Sequence, residues 1–130
     1  MQWLYFRDTG ATNEFYERLL GQPAMVDQGW AWMFPVSTTG FLGVVDGERG
    51  LHQATDDKGV TMSFIVDDIE AWFDYLQGAE GFRWRTEEIG DESGRVRVVV
   101  GYDPEGYYLE WDEFLPVGDN ETLVRQLDRN

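Results

Sequence analysis

Two segments of this chain repeat each other in residue type and order, and that duplication restricts the fold more than any other feature. Phe15-Tyr16-Glu17-Arg18-Leu19-Leu20-Gly21 aligns with Trp72-Phe73-Asp74-Tyr75-Leu76-Gln77-Gly78, 57 residues further on, as two aromatics, an acid, a variable residue, Leu, a variable residue and Gly. Each copy follows an apolar run ending in Asp, Leu4-Tyr5-Phe6-Arg7-Asp8 and Phe64-Ile65-Val66-Asp67. Each then leads to Gly, aromatic, variable, Trp: Gly29-Trp30-Ala31-Trp32 and Gly81-Phe82-Arg83-Trp84. A repeat of that length is one supersecondary module, and two nearly fill the 130 residues. Two copies of a curved sheet can enclose a pocket.

The local signals give each module the same element order. Residues 1–7 alternate as a strand, and residues 9–20 switch to a helical period with Phe15, Tyr16, Leu19 and Leu20 on one face. Gly21 suits a left-handed helix end, and Pro23 blocks continuation. Residues 24–46 hold two or three short strands, with Trp30, Trp32 and Phe34 expected on one face. The polar, glycine-rich stretch 47–59 separates the modules.

The second module opens with a strand at 60–66. Asp67 is expected to cap a helix and Glu70 to close the reciprocal box, with Ile69, Trp72, Phe73 and Leu76 buried and Gly78 as the stop. Strands at 82–88, 95–102 and 107–114 follow, joined by turns at 90–94 and at Asp103-Pro104-Glu105-Gly106. The expected fold is α+β: two βαβββ modules, 1–50 and 59–117, forming a curved mixed sheet around a shared cavity with the helices outside. Residues 1–117 make one domain. Residues 118–130 add a short helix capped near Asp119 or Asn120, with Leu123 and Leu127 on one side.

Composition narrows the function. No cysteine is present, which removes disulfides, thiolate nucleophiles and sulfur-ligated metals. A net charge of -15 repels phosphate backbones, so nucleic acid is not an expected partner, whereas a cationic ligand is favoured. The same acidity also serves solubility. Without a signal-peptide pattern or a membrane-length apolar run, a cytoplasmic protein with no membrane partner is expected.

The doubled module, with Asp103-Pro104-Glu105-Gly106-Tyr107-Tyr108-Leu109-Glu110 leading into its final strand, resembles the vicinal oxygen chelate superfamily, which includes glyoxalase I, bleomycin resistance proteins and extradiol dioxygenases. Asp8, the 15–21 motif and Phe64-Ile65-Val66-Asp67-Asp68-Ile69 carry the rest of the match, over about residues 1–115. The resemblance implies a divalent metal held by a His or Gln and a His on the opening strands and by a Glu on each closing strand. Met1, or Gln2 with a slip, stands at the first position and Thr61 at the second. The closing run 41–45 offers no carboxylate, with Asp46 just beyond it, and only Glu110 matches a ligand. The metal chemistry is therefore expected to be lost, with no cofactor and a divalent metal as the lesser alternative. His52, the single histidine, falls in the linker.

If Glu110 faces a cavity, alternation puts Tyr108 and Asp112 beside it and Thr61 and Ser63 on the neighbouring strand, while Trp3, Tyr5, Trp30 and Trp32 supply aromatic surface. Glu110 alternatively pairs with Arg95, Arg97 or a tyrosine. The first expectation is a metal-free binder of a small aromatic or cationic organic molecule, similar to the bleomycin resistance branch. The alternatives are a lyase or dioxygenase with an altered metal site, and a structural or regulatory module without a ligand. Homodimerisation is implied by the resemblance.

Overall fold

The computed structural model of the protein describes residues 1–128. Its elements run β1 (Gln2–Phe6), α1 (Thr9–Leu20), β2 (Val26–Asp27), β3 (Ala31–Pro35) and β4 (Phe41–Asp46), then β5 (Thr61–Ile65), α2 (Ile69–Leu76), β6 (Arg83–Glu92), β7 (Val96–Tyr102) and β8 (Tyr108–Phe114), with α3 (Asn120–Leu127) last. Strand, helix, three strands thus occurs twice, and the chain is α+β. Each set of strands forms its own mixed sheet, ordered β1-β4-β3-β2 and β5-β8-β7-β6. In both, the opening strand lies parallel to the closing one and the remaining pairs are antiparallel. Two compact units result: Met1–Lys58 with Pro104–Gly106, and Gly59–Asp103 with the chain from Tyr107 onward.

In the first unit Asp8 caps α1, its Oδ1 accepting the Ala11 N–H at 3.0 Å, and Gly21 ends the helix at φ 73°. The helix lays Phe15, Tyr16 and Leu19 on the sheet face made by Leu4, Phe6, Phe34, Leu42 and Val44, and all of these are buried. Tyr16 meets Phe6 and Phe34 at ring-centre distances of 6.2 and 6.4 Å. The carboxylate of Glu105 accepts the Arg7 N–H at 2.8 Å and the Asp8 N–H at 2.8 Å, two donors just ahead of the helix. The acid of the Asp-Pro-Glu-Gly turn is thereby a structural group of this unit.

The second unit departs from the sequence expectation at the start of its helix. Asp68, not Asp67, is the cap, with Oδ1 3.0 Å from the Ala71 nitrogen. Glu70 does not turn back to close a capping box. Its carboxylate is taken by Arg97, which also pairs with Glu113. The helix ends just before Gly78, as expected, through Gln77 in a right-handed conformation, and the positive φ falls at Gly81. The caps Asp8 and Asp68 lie 60 residues apart while the helix-face motifs lie 57 apart, so α2 is shorter than α1 by about one turn, eight residues against twelve. Under α2, Trp111 is fully buried among Phe64, Phe82 and Trp72, at ring distances of 5.3, 5.5 and 5.7 Å.

The turn expected at 90–94 is tighter than its composition suggests. β6 continues through Glu92, and only Ser93 (φ 59°) and Gly94 (φ 67°) make the bend, a pair of left-handed residues that matches strand twist. Asp91 Oδ1 accepts the Gly94 N–H at 2.8 Å and holds it. At the other hairpin the fully buried Asp103 accepts the Tyr107 N–H at 2.9 Å. In α3, Asp119 makes no capping bond, while the Asn120 amide donates to the Arg95 carbonyl at 2.9 Å. The last two residues of the expected 118–130 segment lie outside the described residues.

Glu105→Ala leaves two backbone donors without their acceptor and is expected to lower unfolding free energy by about 1–3 kcal/mol. A denaturant midpoint equal to that of the unsubstituted protein would show that the contact carries no stability.

Candidate functional site

Each helix covers one face of its sheet, so strand alternation decides which side chains remain on the other. In the second unit β8 sends Leu109 and Trp111 under α2 and places Tyr108, Glu110 and Asp112 on the opposite face. The parallel register sets Thr61 beside Tyr108, Ser63 beside Glu110 and Ile65 beside Asp112. On the other flank, Tyr102, Val100 and Val98 pair with the same three residues. Five of the expected contact residues, Thr61, Ser63, Tyr108, Glu110 and Asp112, are therefore together on one face.

The Ser63 hydroxyl donates to Glu110 Oε1 at 3.0 Å. Asp112 is only 7% exposed. Burial pushes its carboxyl up to about 7, helped by the charge of Glu110, by the hydrogen bond between the two acids and by the charge of Glu92, while the Ser63 hydroxyl pulls it down. A buried carboxyl beside the charge of Glu110 is costly to ionise, so Asp112 holds its proton to a higher pH than a free carboxyl does. Burial and the Glu110 charge also raise the Tyr108 phenol. Arg97 is engaged by Glu70 and Glu113, so the guanidinium considered as a partner for Glu110 is committed elsewhere.

The corresponding face of the first unit is aromatic. Trp3 and Tyr5 on β1 stand beside Gly43 and Val45 on β4, with Met33 and Ala31 beyond. The Trp3 indole packs against Gly43: a Cβ there would be 2.1 Å from a ring carbon, so only glycine admits it. Trp3, Tyr5, Trp30, Met33, Val45 and Leu51 contribute to the walls of a cavity of about 260 Å³. His52 packs edge-on against Tyr5 at 5.2 Å, which ties the expected linker histidine to this face. Trp30 and Trp32 do not share a face as expected. Gly29 (φ 82°) breaks the alternation ahead of β3, leaving Trp30 at the cavity, while Trp32 pairs with Val44 and points with Phe34 to the α1 side.

Superposing the two registers through the caps matches Trp3-Gly43 of the first unit with Ser63-Glu110 of the second, and Tyr5-Val45 with Ile65-Asp112. Glycine thus occupies the closing-strand position where the first metal-binding carboxylate is implied, and Asp46 lies on the helix side, accepting the Glu48 N–H at 2.9 Å. Thr61 and Met1 are poor ligands for a divalent cation. No three His, Asp or Glu side chains among the described residues are grouped to hold one. The donor set does not fit the metal that the resemblance implies. Sequence reasoning missed Gly43, Met33, Val45 and Leu51; the glycine inside an apolar strand was the one available signal.

Because Asp112 binds its proton more tightly when folded, its contribution to stability is fully present below about pH 4, where the unfolded group is also protonated, and is lost as pH rises through about 7. The stability difference between the protein and Asp112→Asn is expected to shrink or change sign over that interval. Thermal midpoints at pH 4, 5.5 and 7.5 measure it, and parallel curves would rule out the raised proton affinity of Asp112.

No family model matches the sequence, and no curated protein matches it. Solved structures do. A glyoxalase/bleomycin resistance protein from Albidiferax ferrireducens T118 is 21% identical with a TM-score of 0.70, over 87% of this chain and 95% of that one. A lactoylglutathione lyase from Agrobacterium tumefaciens is 19% identical (TM-score 0.68, 86% and 90% covered). A glyoxalase/bleomycin resistance protein/dioxygenase family enzyme from Burkholderia phytofirmans PsJN is 15% identical (TM-score 0.73, 88% and 96% covered). At these identities the likeness is one of fold: this chain has the fold of these glyoxalase/bleomycin-resistance-type structures.

Proposed function

We propose that the protein binds a small aromatic or cationic organic molecule without a resident metal, in the manner of a glyoxalase/bleomycin-resistance-type binder. The observation that carries this reading is the aromatic cavity of the first unit. Its volume of about 260 Å³ exceeds the ~150 Å³ that suffices for a benzene ring. Trp3 is 41% exposed although it lies over a glycine that makes room for it, which leaves an indole face for stacking. A cation over that face gains a further attraction from the ring quadrupole.

The second unit, taken by itself, carries a separate polar face suited to a cationic group. Glu110 and Asp112 offer a carboxylate for an ammonium or amidinium group, with Ser63, Thr61 and Tyr108 as neutral hydrogen-bonding neighbours. A lyase or dioxygenase would need cation donors where this chain has Gly43 and Thr61, and a structural module would not need Trp3 left open. Pairing with a second copy, expected from the resemblance, belongs to the same proposal and is read by sedimentation.

Titrating the protein with N-methylquinolinium is expected to quench tryptophan fluorescence saturably, and Trp3→Ala to weaken the apparent affinity roughly 5- to 10-fold. An unsaturable response in both proteins removes the binder. Adding zinc, nickel, manganese or iron(II) is expected to leave the thermal midpoint unchanged. A rise on addition of one of these ions would establish a metal site and reverse the metal-free reading.

A further inference from the structure

The edge strand β6 carries a feature that neither the cavity nor the acid pair uses. Trp84 pairs with Gly101 and Thr86 with Val100, so Arg85 is an extra residue opposite β7. A bulge of this kind interrupts alternation and re-aims the inserted side chain. Here Arg85 meets both Tyr102 and Tyr108, the first of which Arg83 also meets. Arg85 Nη1 donates to the Tyr102 hydroxyl at 3.1 Å, and its guanidinium carbon lies 5.7 Å from the Tyr108 ring centre. The Arg83 guanidinium carbon lies 5.3 Å from the Tyr102 ring, and the two tyrosines meet edge-on at 5.7 Å. Arginine and tyrosine therefore alternate in a ladder that ends at Tyr108, the strand neighbour of Glu110.

Among the described residues neither Arg83 nor Arg85 pairs with a carboxylate, although the chain has 25 acids and ten bases. Arg7, Arg97 and Arg125 take nearby acids; Arg49 and Arg95 also have no ion pair among the described residues, but Arg83 and Arg85 are neighbours on one strand and both lie against tyrosine rings. Two guanidiniums positioned by tyrosine rings and left without acids in so acidic a chain are suited to an anion brought by the ligand. A guanidinium presents a planar fork of donors matching the two oxygens of a carboxylate. A phosphate dianion fits the fork as well, but the net charge of -15 repels it more strongly.

We infer that the ligand carries a carboxylate as well as a cationic group, the carboxylate being received by Arg85 and Arg83 beside Tyr102 and Tyr108. The inference rests on the small-molecule reading above and adds the substrate class: an amino carboxylate rather than a simple cation. Tyr108 and Glu110 are two residues apart on one strand, about 7 Å, which sets the scale for the separation of the two charges.

The test uses the full chain and three probes in isothermal titration: 4-(aminomethyl)benzoate, with its amine and carboxylate at opposite ends of one ring, benzylamine and benzoate. The first is expected to bind about tenfold or more tightly than either of the others, and Arg85→Met to bring its Kd close to that of benzylamine. Arg83→Met provides a second variant on the exposed edge, expected to act in the same direction. Equal affinities for 4-(aminomethyl)benzoate and benzylamine overturn the inference while leaving the cation binder standing, as does an Arg85→Met protein that keeps the preference. Failure of all three probes also overturns it. The binder itself falls only if N-methylquinolinium fails too.

Discussion

Everything at the candidate faces depends on one constraint: a strand has two sides, and in each sheet a single helix covers only one of them. Once α2 buries Trp111 and Leu109, the pleat leaves no choice for Tyr108, Glu110 and Asp112, which must occupy the other side. Once α1 buries Leu4 and Phe6, Trp3 and Tyr5 are displaced likewise. The hydrophobic effect acting on one residue set thus positions the other set with the accuracy of a covalent repeat distance.

On that shared frame the two units have diverged in chemistry. The glycine at 43 and the glutamate at 110 occupy matching places, as do Val45 and Asp112. In the first unit the missing side chain makes space for an indole, and the surface becomes flat and apolar. In the second, burial and the neighbouring charge of Glu110 raise the Asp112 carboxyl, while Ser63 donates to Glu110. The same backbone therefore presents stacking surface in one case and hydrogen-bonding and charge in the other. The β6 bulge adds the opposite charge beside the acids, and it does so by inserting a residue, not by changing a residue type.

The turn before the closing strand shows how a motif useful for recognising a fold can be structural in origin. Asp103 is fully buried and holds its own hairpin through the Tyr107 N–H, while Glu105 satisfies two backbone donors ahead of α1. Both acids of Asp-Pro-Glu-Gly are occupied by backbone, so neither belongs to ligand chemistry. The same distinction applies at Glu70, whose capping-box spacing is genuine but whose carboxylate is drawn away by the stronger field of Arg97.

By itself the sequence determined the α+β class, the doubled order of elements, both helices and the set Thr61, Ser63, Tyr108, Glu110 and Asp112, because these follow from periodicity and alternation, which act over a few neighbouring residues. Only the tertiary structure decided that Trp32 turns to the helix side, that Asp68 rather than Asp67 caps α2, that Gly43 stands where Glu110 has its counterpart, and that Arg85 joins Arg83. Each of these depends on a register: a bulge, a left-handed glycine or a helix shortened by one turn shifts which residues oppose one another. A register is a relation between distant segments that no local pattern contains.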